Sequence, residues 1–294
     1  MAMKLSVIIP TINRYKDLSN TLTDLSCQSY TDFEVIIIDQ TPIIEAQIIT
    51  NSELLIHYYH SEIPSASSAR NIGIQKAKGE VVLFLDDDVI IKNKDFIRNH
   101  IRHYSDPRIS GVAGLILAQN QNKRYTRHWM SYRPDVGWLY FPRNYGCACL
   151  VDGGGSGNLS VRRQVAIDVG CMDENYIKGA HREESDFCFR VKKKYGQFFY
   201  DPEADLVHIG NPQGGCRTWI SNQQVMADHH FFGCAYFILK NIPLSQYPDH
   251  LFCALRYFVF NNKSLQNPWL IVIAFIKLFK SFNQAQEILK SQDR

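Results

Sequence analysis

Asp86, Asp87 and Asp88 stand directly behind the apolar run VVLFL, residues 81–85, with no Lys or Arg in the next few positions to offset them. Carboxylates this close repel one another, and a divalent cation inverts that repulsion. Hard oxygen ligands suit Mg²⁺ or Mn²⁺. Capping the following helix is the alternative, adequate for one aspartate and poor for three in a row. If strand geometry persists through the triplet, Asp86 and Asp88 share a side and Asp87 points away. Two further stretches carry residues suited to chemistry. DGGGSGNLS places four glycines within the five positions 153–157, an absence of side chains that lets a substrate or a neighbouring backbone come close. REESDFCFR groups Glu183, Glu184 and Asp186 at the start of a helix, with Arg190 four positions after Asp186. That spacing favours an ion pair, and carboxylates there also complement the positive end of the helix.

No GxGxxG follows the first apolar run and no GxxxxGK[ST] occurs anywhere, which weighs against a dinucleotide oxidoreductase and a P-loop hydrolase. Phosphates managed by a cation and one or two carboxylates fit instead. The matching substrate is a nucleoside diphosphate carrying a leaving group.

The elements that must position these residues alternate in type. LSVIIP, FEVIIIDQT, LLIHYY and VVLFL read as buried strands. YKDLSNTLTDLSCQ carries Leu18, Leu22 and Leu25 on one helical face, and SASSARNIGIQKAKG reads as a serine-capped helix stopped at Gly79. Continuous Val/Ile/Leu runs separated by helices describe a mostly parallel sheet covered on both faces. Ligands of such sheets bind beyond the carboxyl ends of the strands, where Thr11, Asp39 and Asp86 lie. KDFIRNHIRHY then predicts a helix, ISGVAGLILA a strand and residues 119–147 a long loop. After the glycine-rich turn come a short strand, a helix closing at Gly170, a second helix stopped at Gly196, and one or two short strands in FFYDPEADLVHIG.

From about Arg217 onward the pattern is helical and aromatic. The expected organisation is an α/β domain over 1–215, its two halves meeting at about 118–119, and a helical extension over 216–294.

The 294 residues, 45% hydrophobic and 21% charged, describe an ordinary globular chain, and a net charge of +3 draws in no nucleic acid. Eight scattered cysteines suggest reduced thiols, and Cys147 and Cys149 read as alternation along a strand. With no signal peptide at the N-terminus and no apolar run of about 18 residues, the expectation is a soluble cytoplasmic protein. The tail segments HHFFGCAYFILK, LFCALRYFVF and WLIVIAFIKLF leave three roles open: packing on the α/β domain, a homodimer contact, or peripheral membrane contact.

SVIIPTINR, VIIIDQT, ARNIGIQKAKGEVVLFLDDDV, GNLSVRRQVAIDVGCMDENY and EESDFCFR come in an order and spacing that resemble family 2 glycosyltransferases, over residues 4 to about 210. The resemblance implies the GT-A fold and inverting, metal-dependent transfer from a nucleoside diphosphate sugar, UDP being favoured. It also implies a glycan, lipid-linked or other hydroxyl acceptor, and a place in cell-surface glycan or polysaccharide biosynthesis. Pro10, Thr11 and Arg14 then match the nucleotide-binding loop, Asp39 the carboxylate that recognises the base, and Arg70 and Asn71 a segment beside the nucleotide. Asp86, with Asp87 on the donor side, falls near the ribose. Asp88 falls on the metal, and His208 matches a histidine that some GT-A enzymes add as a metal ligand. The glycine-rich loop falls beside the sugar, with Asp152, Gly154, Asn158 and Asp186 as sugar or acceptor contacts, and Arg217 matches a residue closing over the diphosphate.

The family usually writes Glu-Asp where this chain has Glu183-Glu184. Position matching makes Glu184 the base that takes the acceptor proton, with Glu183 the alternative, since helix neighbours point about 100° apart. The QxxRW pattern of processive synthases is missing, so the expected product is a single sugar addition. The rivals are a nucleotidyltransferase and a nucleotide-sugar-binding protein without catalysis.

Overall fold

The computed structural model describes residues 3–42, 53–125, 132–133, 139–140, 144–178, 181–211, 213–215 and 227–292. The strands are β1 (Leu5–Thr11), β2 (Phe33–Asp39), β3 (Ile56–His60), β4 (Val81–Leu85), β5 (Val89–Ile90), β6 (Gly111–Ala118), β7 (Tyr132–Arg133), β8 (Leu139–Tyr140), β9 (Cys149–Val151), β10 (Asn158–Arg162) and β11 (Phe198–His208). The helices are α1 (Tyr15–Ser26), α2 (Ala66–Lys76), α3 (Phe96–Ile101), α4 (Arg163–Asp168), α5 (Glu183–Tyr195), α6 (Asp228–Asn241), α7 (Tyr247–Ala254), α8 (Asn262–Gln266) and α9 (Trp269–Gln292). A π-helical turn, Leu255–Val259, follows α7.

Nine strands form one sheet in the order β3-β2-β1-β4-β10-β6-β11-β5, with β9 also on β11. Strands β3 to β4 along that order are parallel, β10 runs antiparallel between β4 and β6, and β11 returns parallel to β6. The apolar runs of β1, β2 and β4 are buried because both faces are covered, whereas β3, expected to be buried, is a half-buried strand at the sheet edge. Ile8, Ile36, Ile38, Val82 and Phe84 face one cluster, which takes in Phe187 of α5. Their neighbours Val7, Ile9, Val35, Ile37, Leu83 and Leu85 face the other, which takes in Leu18, Leu22 and Leu25 of α1.

FFYDPEADLVHIG forms a single strand rather than two, with its register broken between Asp201 and Asp205. Pro202 lacks an N–H and cannot continue the ladder there, and the carbonyls released are taken by side chains. Lys123 donates to Pro202 O, Asn93 and Asn99 to Glu203 O, and Asn158 to Ala204 O.

The extension packs against the catalytic half through α6. Phe232, Tyr236 and Phe237 enclose Tyr176, while Phe231 and Ile238 pack with Phe258, Ala274 and Leu278. Lys240 adds ion pairs to Asp173 at 2.6 Å and Asp186 at 2.8 Å.

Candidate active site

Sheet register brings the acidic triplet to its partners. Ile8 pairs with Phe84 across β1 and β4, so three residues further on Thr11 stands level with Asp87, and its hydroxyl donates to Asp87 Oδ2 at 2.7 Å. Past the triplet the chain enters β5, which pairs antiparallel with the end of β11, Val89 opposite His208. That pairing sets Asp88 beside His208: Asp88 Oδ1 lies 3.2 Å and Asp86 Oδ2 3.6 Å from His208 Nε2. Asp86, Asp88 and His208 each present a ligand atom within 4.8 Å of the others. Two carboxylates and an imidazole are a donor set that Mn²⁺ or Mg²⁺ accepts. The other oxygen of Asp88 is held by the Asn211 N–H at 3.1 Å and by Arg14 at 3.2 Å. The carboxylate is thereby fixed with Oδ1 aimed at His208.

The positive charge missing from the local sequence comes from Arg14, on the loop after β1. Its guanidinium pairs with Asp87 and Asp88, each at 3.2 Å, and donates to the carbonyls of Asn211, Gln213 and Gly214. Gly214 and Gly215 have φ of +71° and +66°, and a Cβ on either would stand within 3 Å of Arg14, so glycine is required on both counts. Burial pushes the Asp87 carboxyl up, to about 7, against the lowering pull of Arg14 and Thr11.

A cavity of about 320 Å³ opens over this cluster, with Arg70 of α2 and the first turn of α5 among its walls. Arg70 donates to Glu183 Oε1 at 2.6 Å and reaches Asp86 Oδ1 at 3.5 Å. Glu183 is buried, also accepts from Ser67, and is pushed up to about 7 by burial against the pull of Arg70. Glu184, half-buried on the cavity wall, makes no ion pair with any described residue. Burial and the charge of Asp86 hold its carboxyl above the ordinary glutamate range despite Arg70. Arg182, just before the pair, sits in the left-handed region at φ +70°, an uncommon and strained conformation for a residue with a Cβ.

Pro10, Thr11, Arg14, Arg70, Asp86, Asp87, Asp88, Glu183 and Glu184 all line this cavity, and His208 borders it through Asp86 and Asp88. Asp87 does not simply point away from its neighbours; it turns to Thr11 and Arg14. Most of the other expected contacts have protein partners of their own. Asp39 is fully enclosed, its oxygens taken by Tyr15, Tyr58 and the Thr41 N–H, while its neighbour Gln40 lines the cavity. Asn71 ties α2 to Met172 and Glu174. Asp152 is buried against Lys192 and Gln197. Gly154 packs on Ala113, and a Cβ there would lie 2.6 Å from the alanine side chain. Asn158 holds Leu115 O, Ala204 O and His100. Asp186 faces Arg190, Lys240 and Asn241 on the side of α5 that docks the extension. Arg217 lies outside the described residues.

The glycine-rich loop does serve the site at another position. A Cβ on Gly157 would stand 2.4 Å from Asp86 Oδ2, so that glycine is what lets Asp86 reach the cluster. Sequence reasoning also missed Ser156, His181, Arg182, His230 and Tyr257 on the cavity wall. His181 and Arg182 adjoin the glutamate pair, a proximity that could have marked them. His230 and Tyr257 come from the extension, where no spacing links them to the catalytic half. The ring of His181 stacks on Tyr257 with centroids 5.5 Å apart.

The family model for glycosyl transferase family 2 matches residues 6–169, and the chain belongs to that family. It is similar to the pre-mycofactocin glycosyltransferase of Mycobacterium tuberculosis, 26% identical over 228 residues, which cover 74% of this chain and 45% of that one. It is also similar to the poly(ribitol-phosphate) β-N-acetylglucosaminyltransferase TarS of Staphylococcus aureus, 31% identical over 135 residues, 41% of this chain and 23% of that one. The chain thus spans less than half the length of these relatives. Among solved structures, TarS 1–349 in complex with UDP-GlcNAc superposes with a TM-score of 0.63 at 15% identity, covering 99% of this chain and 92% of that one. The mannosyltransferase PcManGT of Pyrobaculum calidifontis, in complex with GDP-Man and Mn²⁺, gives a TM-score of 0.60 at 16% identity, covering 100% and 80%. The fold is GT-A.

Proposed function

We propose that the protein transfers a single sugar, with inversion, from a nucleoside diphosphate sugar to an acceptor hydroxyl. The observation that carries this reading is a single cavity lined both by Asp86 and Asp88 of the Asp86–Asp88–His208 cluster and by Glu184. Asp86, Asp88 and His208 would hold Mn²⁺ or Mg²⁺, and such an ion supplies positive charge to a departing diphosphate. Thr11 and Arg14 keep the neighbouring Asp87 turned aside, and Arg70 links Asp86 to Glu183. Glu184 takes the acceptor proton as the hydroxyl oxygen attacks the anomeric carbon from the face opposite the diphosphate, which leaves with the bonding pair. The pairing of Glu183 with Arg70 supports Glu184 rather than Glu183 in that role.

UDP is the favoured carrier: TarS is crystallised with UDP-GlcNAc, while the GDP-Man bound to PcManGT keeps guanine in contention. The acceptor is a glycan or lipid-linked hydroxyl. A thermal-shift panel of nucleoside diphosphates with and without Mn²⁺ identifies the base. Release of nucleoside diphosphate from the matching sugar donor tests transfer. Release of pyrophosphate from a nucleoside triphosphate supplied with a sugar phosphate, without nucleoside diphosphate release from the sugar donor, indicates nucleotidyl transfer, and donor binding without release indicates a binding protein; either outcome overturns the proposal.

A further inference from the structure

Helix α9 has two apolar faces. Leu270, Ala274, Leu278, Ser281 and Ala285 form the buried stripe against α6. On the opposite side Trp269, Val272, Phe275, Ile276 and Phe279 are exposed, Trp269 and Phe279 each at 68%. At 100° per residue these five positions fall within an arc of about 120° and run about 15 Å along the axis. A surface helix ordinarily turns polar residues outward. Of the sixteen exposed large apolar residues among the described ones, ten lie between Leu244 and Phe279, so the exposure is concentrated rather than scattered.

Basic residues outnumber acidic ones around the patch. Between His250 and Gln286 the chain carries Arg256, Lys263, Lys277 and Lys280 and neither Asp nor Glu; Lys277 also reaches Asp228 at 2.8 Å. Pairing this face with a second copy of itself would set cation against cation with no acid from the same stretch in reply, an arrangement that opposes association. An interface with apolar chains beneath anionic headgroups answers both features at once. The patch also reaches the catalytic cavity. Phe260 packs edge-on against Phe275 with centroids 5.8 Å apart, and Tyr257, three residues before Phe260, is exposed and lines the cavity wall.

We infer that the C-terminal helices are an interfacial docking face that seats the protein on an anionic bilayer, with the mouth of the cavity held at the lipid surface. The chain lies on the membrane and does not cross it through these helices: no helix among the described residues is long and apolar enough to span one.

The test is flotation of the full-length chain with phosphatidylcholine vesicles and with vesicles containing roughly a third phosphatidylglycerol, the lipid that supplies the negative surface charge this inference requires. Binding is expected to the anionic vesicles alone and to weaken as salt rises. The double variant Lys263→Gln/Lys280→Gln is expected to bind about thirtyfold more weakly, about fivefold for each cation. Phe279→Glu is expected to lose binding, while its circular dichroism and its thermal shift with nucleoside diphosphate stay unchanged, because the side chain is exposed and remote from the cavity. That binding readout is independent of sugar transfer, so failure here leaves the proposed reaction standing. Absence of flotation on anionic vesicles, or undiminished flotation of Phe279→Glu, overturns the inference. So does a sedimentation mass of twice the chain that falls to one in Phe279→Glu without vesicle binding, which reassigns the face to an interface between copies.

Discussion

Glu184 and Glu183 are adjacent, alike in type and opposite in circumstance. Glu183 is spent on Arg70, whereas Glu184 faces the cavity. Glu184→Gln keeps shape and loses the base, so turnover is expected to fall by roughly two to four orders of magnitude with donor binding retained. Glu183→Gln is expected to perturb donor affinity through Arg70 more than turnover. Near-normal turnover in Glu184→Gln, with loss in Glu183→Gln, reassigns the base. The pH profile offers a separate check. A base works ionised, and burial raises the Glu184 carboxyl above its usual value, so kcat/KM should rise with pH through a limb lying above the ordinary glutamate range near 4.5. A limb at or below that range is incompatible with this assignment. Arg14 illustrates a different residue-scale point. Matched by position it is a donor ligand, yet its partners are the protein's own carboxylates and carbonyls. Arg14→Met takes the guanidinium charge away from Asp87 and Asp88, leaving them Thr11 and the Asn211 N–H, and is expected to cost about 3–5 kcal/mol in urea unfolding. A variant of unchanged stability with weakened nucleotide binding points back to a ligand role.

At the scale of elements, the cluster depends on three pieces of chain that are remote in sequence: the β4–β5 turn, the end of β11 and the loop before β10. Pairing of β5 with β11 aligns His208 with Asp88, and Gly157 leaves room for Asp86. Gly157→Ala is expected to displace the Asp86 carboxylate, since the far end of that side chain can move while the backbone stays. Mn²⁺ affinity should then drop about tenfold to a hundredfold, measured by titration calorimetry, with the melting temperature little changed. Unaltered Mn²⁺ affinity removes Asp86 from the metal set. Most strands and helices of residues 5–118 were legible from apolar runs and helical spacing because each buries a face that its own pattern announces; the two-residue β5 was not. The broken register of β11 was not, because it depends on side chains of Asn93, Asn99, Lys123 and Asn158 arriving from elsewhere.

For the molecule as a whole, buried His100, His229 and His250 and half-buried His181 weight the response to acid. Burial holds His100, His229 and His250 down to about 4 and His181 to about 3. Each is neutral when folded and takes up a proton on unfolding below its ordinary value near 6.5. Asp87 and Glu183, raised to about 7, act the other way, holding a proton when folded and releasing it on unfolding; the histidines outnumber them, so unfolding still absorbs protons in that window and stability should fall as pH drops from about 6.5 toward 4. Three of the four, all except His100, belong to the extension or to the chain facing it, so the extension should loosen first. Thermal unfolding followed at pH 7.5 and at pH 5 tests this; a melting temperature independent of pH across that range contradicts it.

Residue types and spacing by themselves determined the sheet, the acidic lip at its strand ends and the family, since a strand buried on both faces must be written in apolar residues and a cation needs hard donors. They did not determine which carboxylates would be neutralised internally. Asp39, Asp152 and Asp186 look as available in sequence as Asp88 does, and each is engaged by at least one partner more than ten residues away. Tertiary structure alone decided that Arg14 offsets the triplet, that His208 meets it, and that His230 and Tyr257 of the extension close the cavity. The physical reason is common to all of these: a polar side chain is committed by whatever packing brings within about 3 Å, and that distance is created by folding.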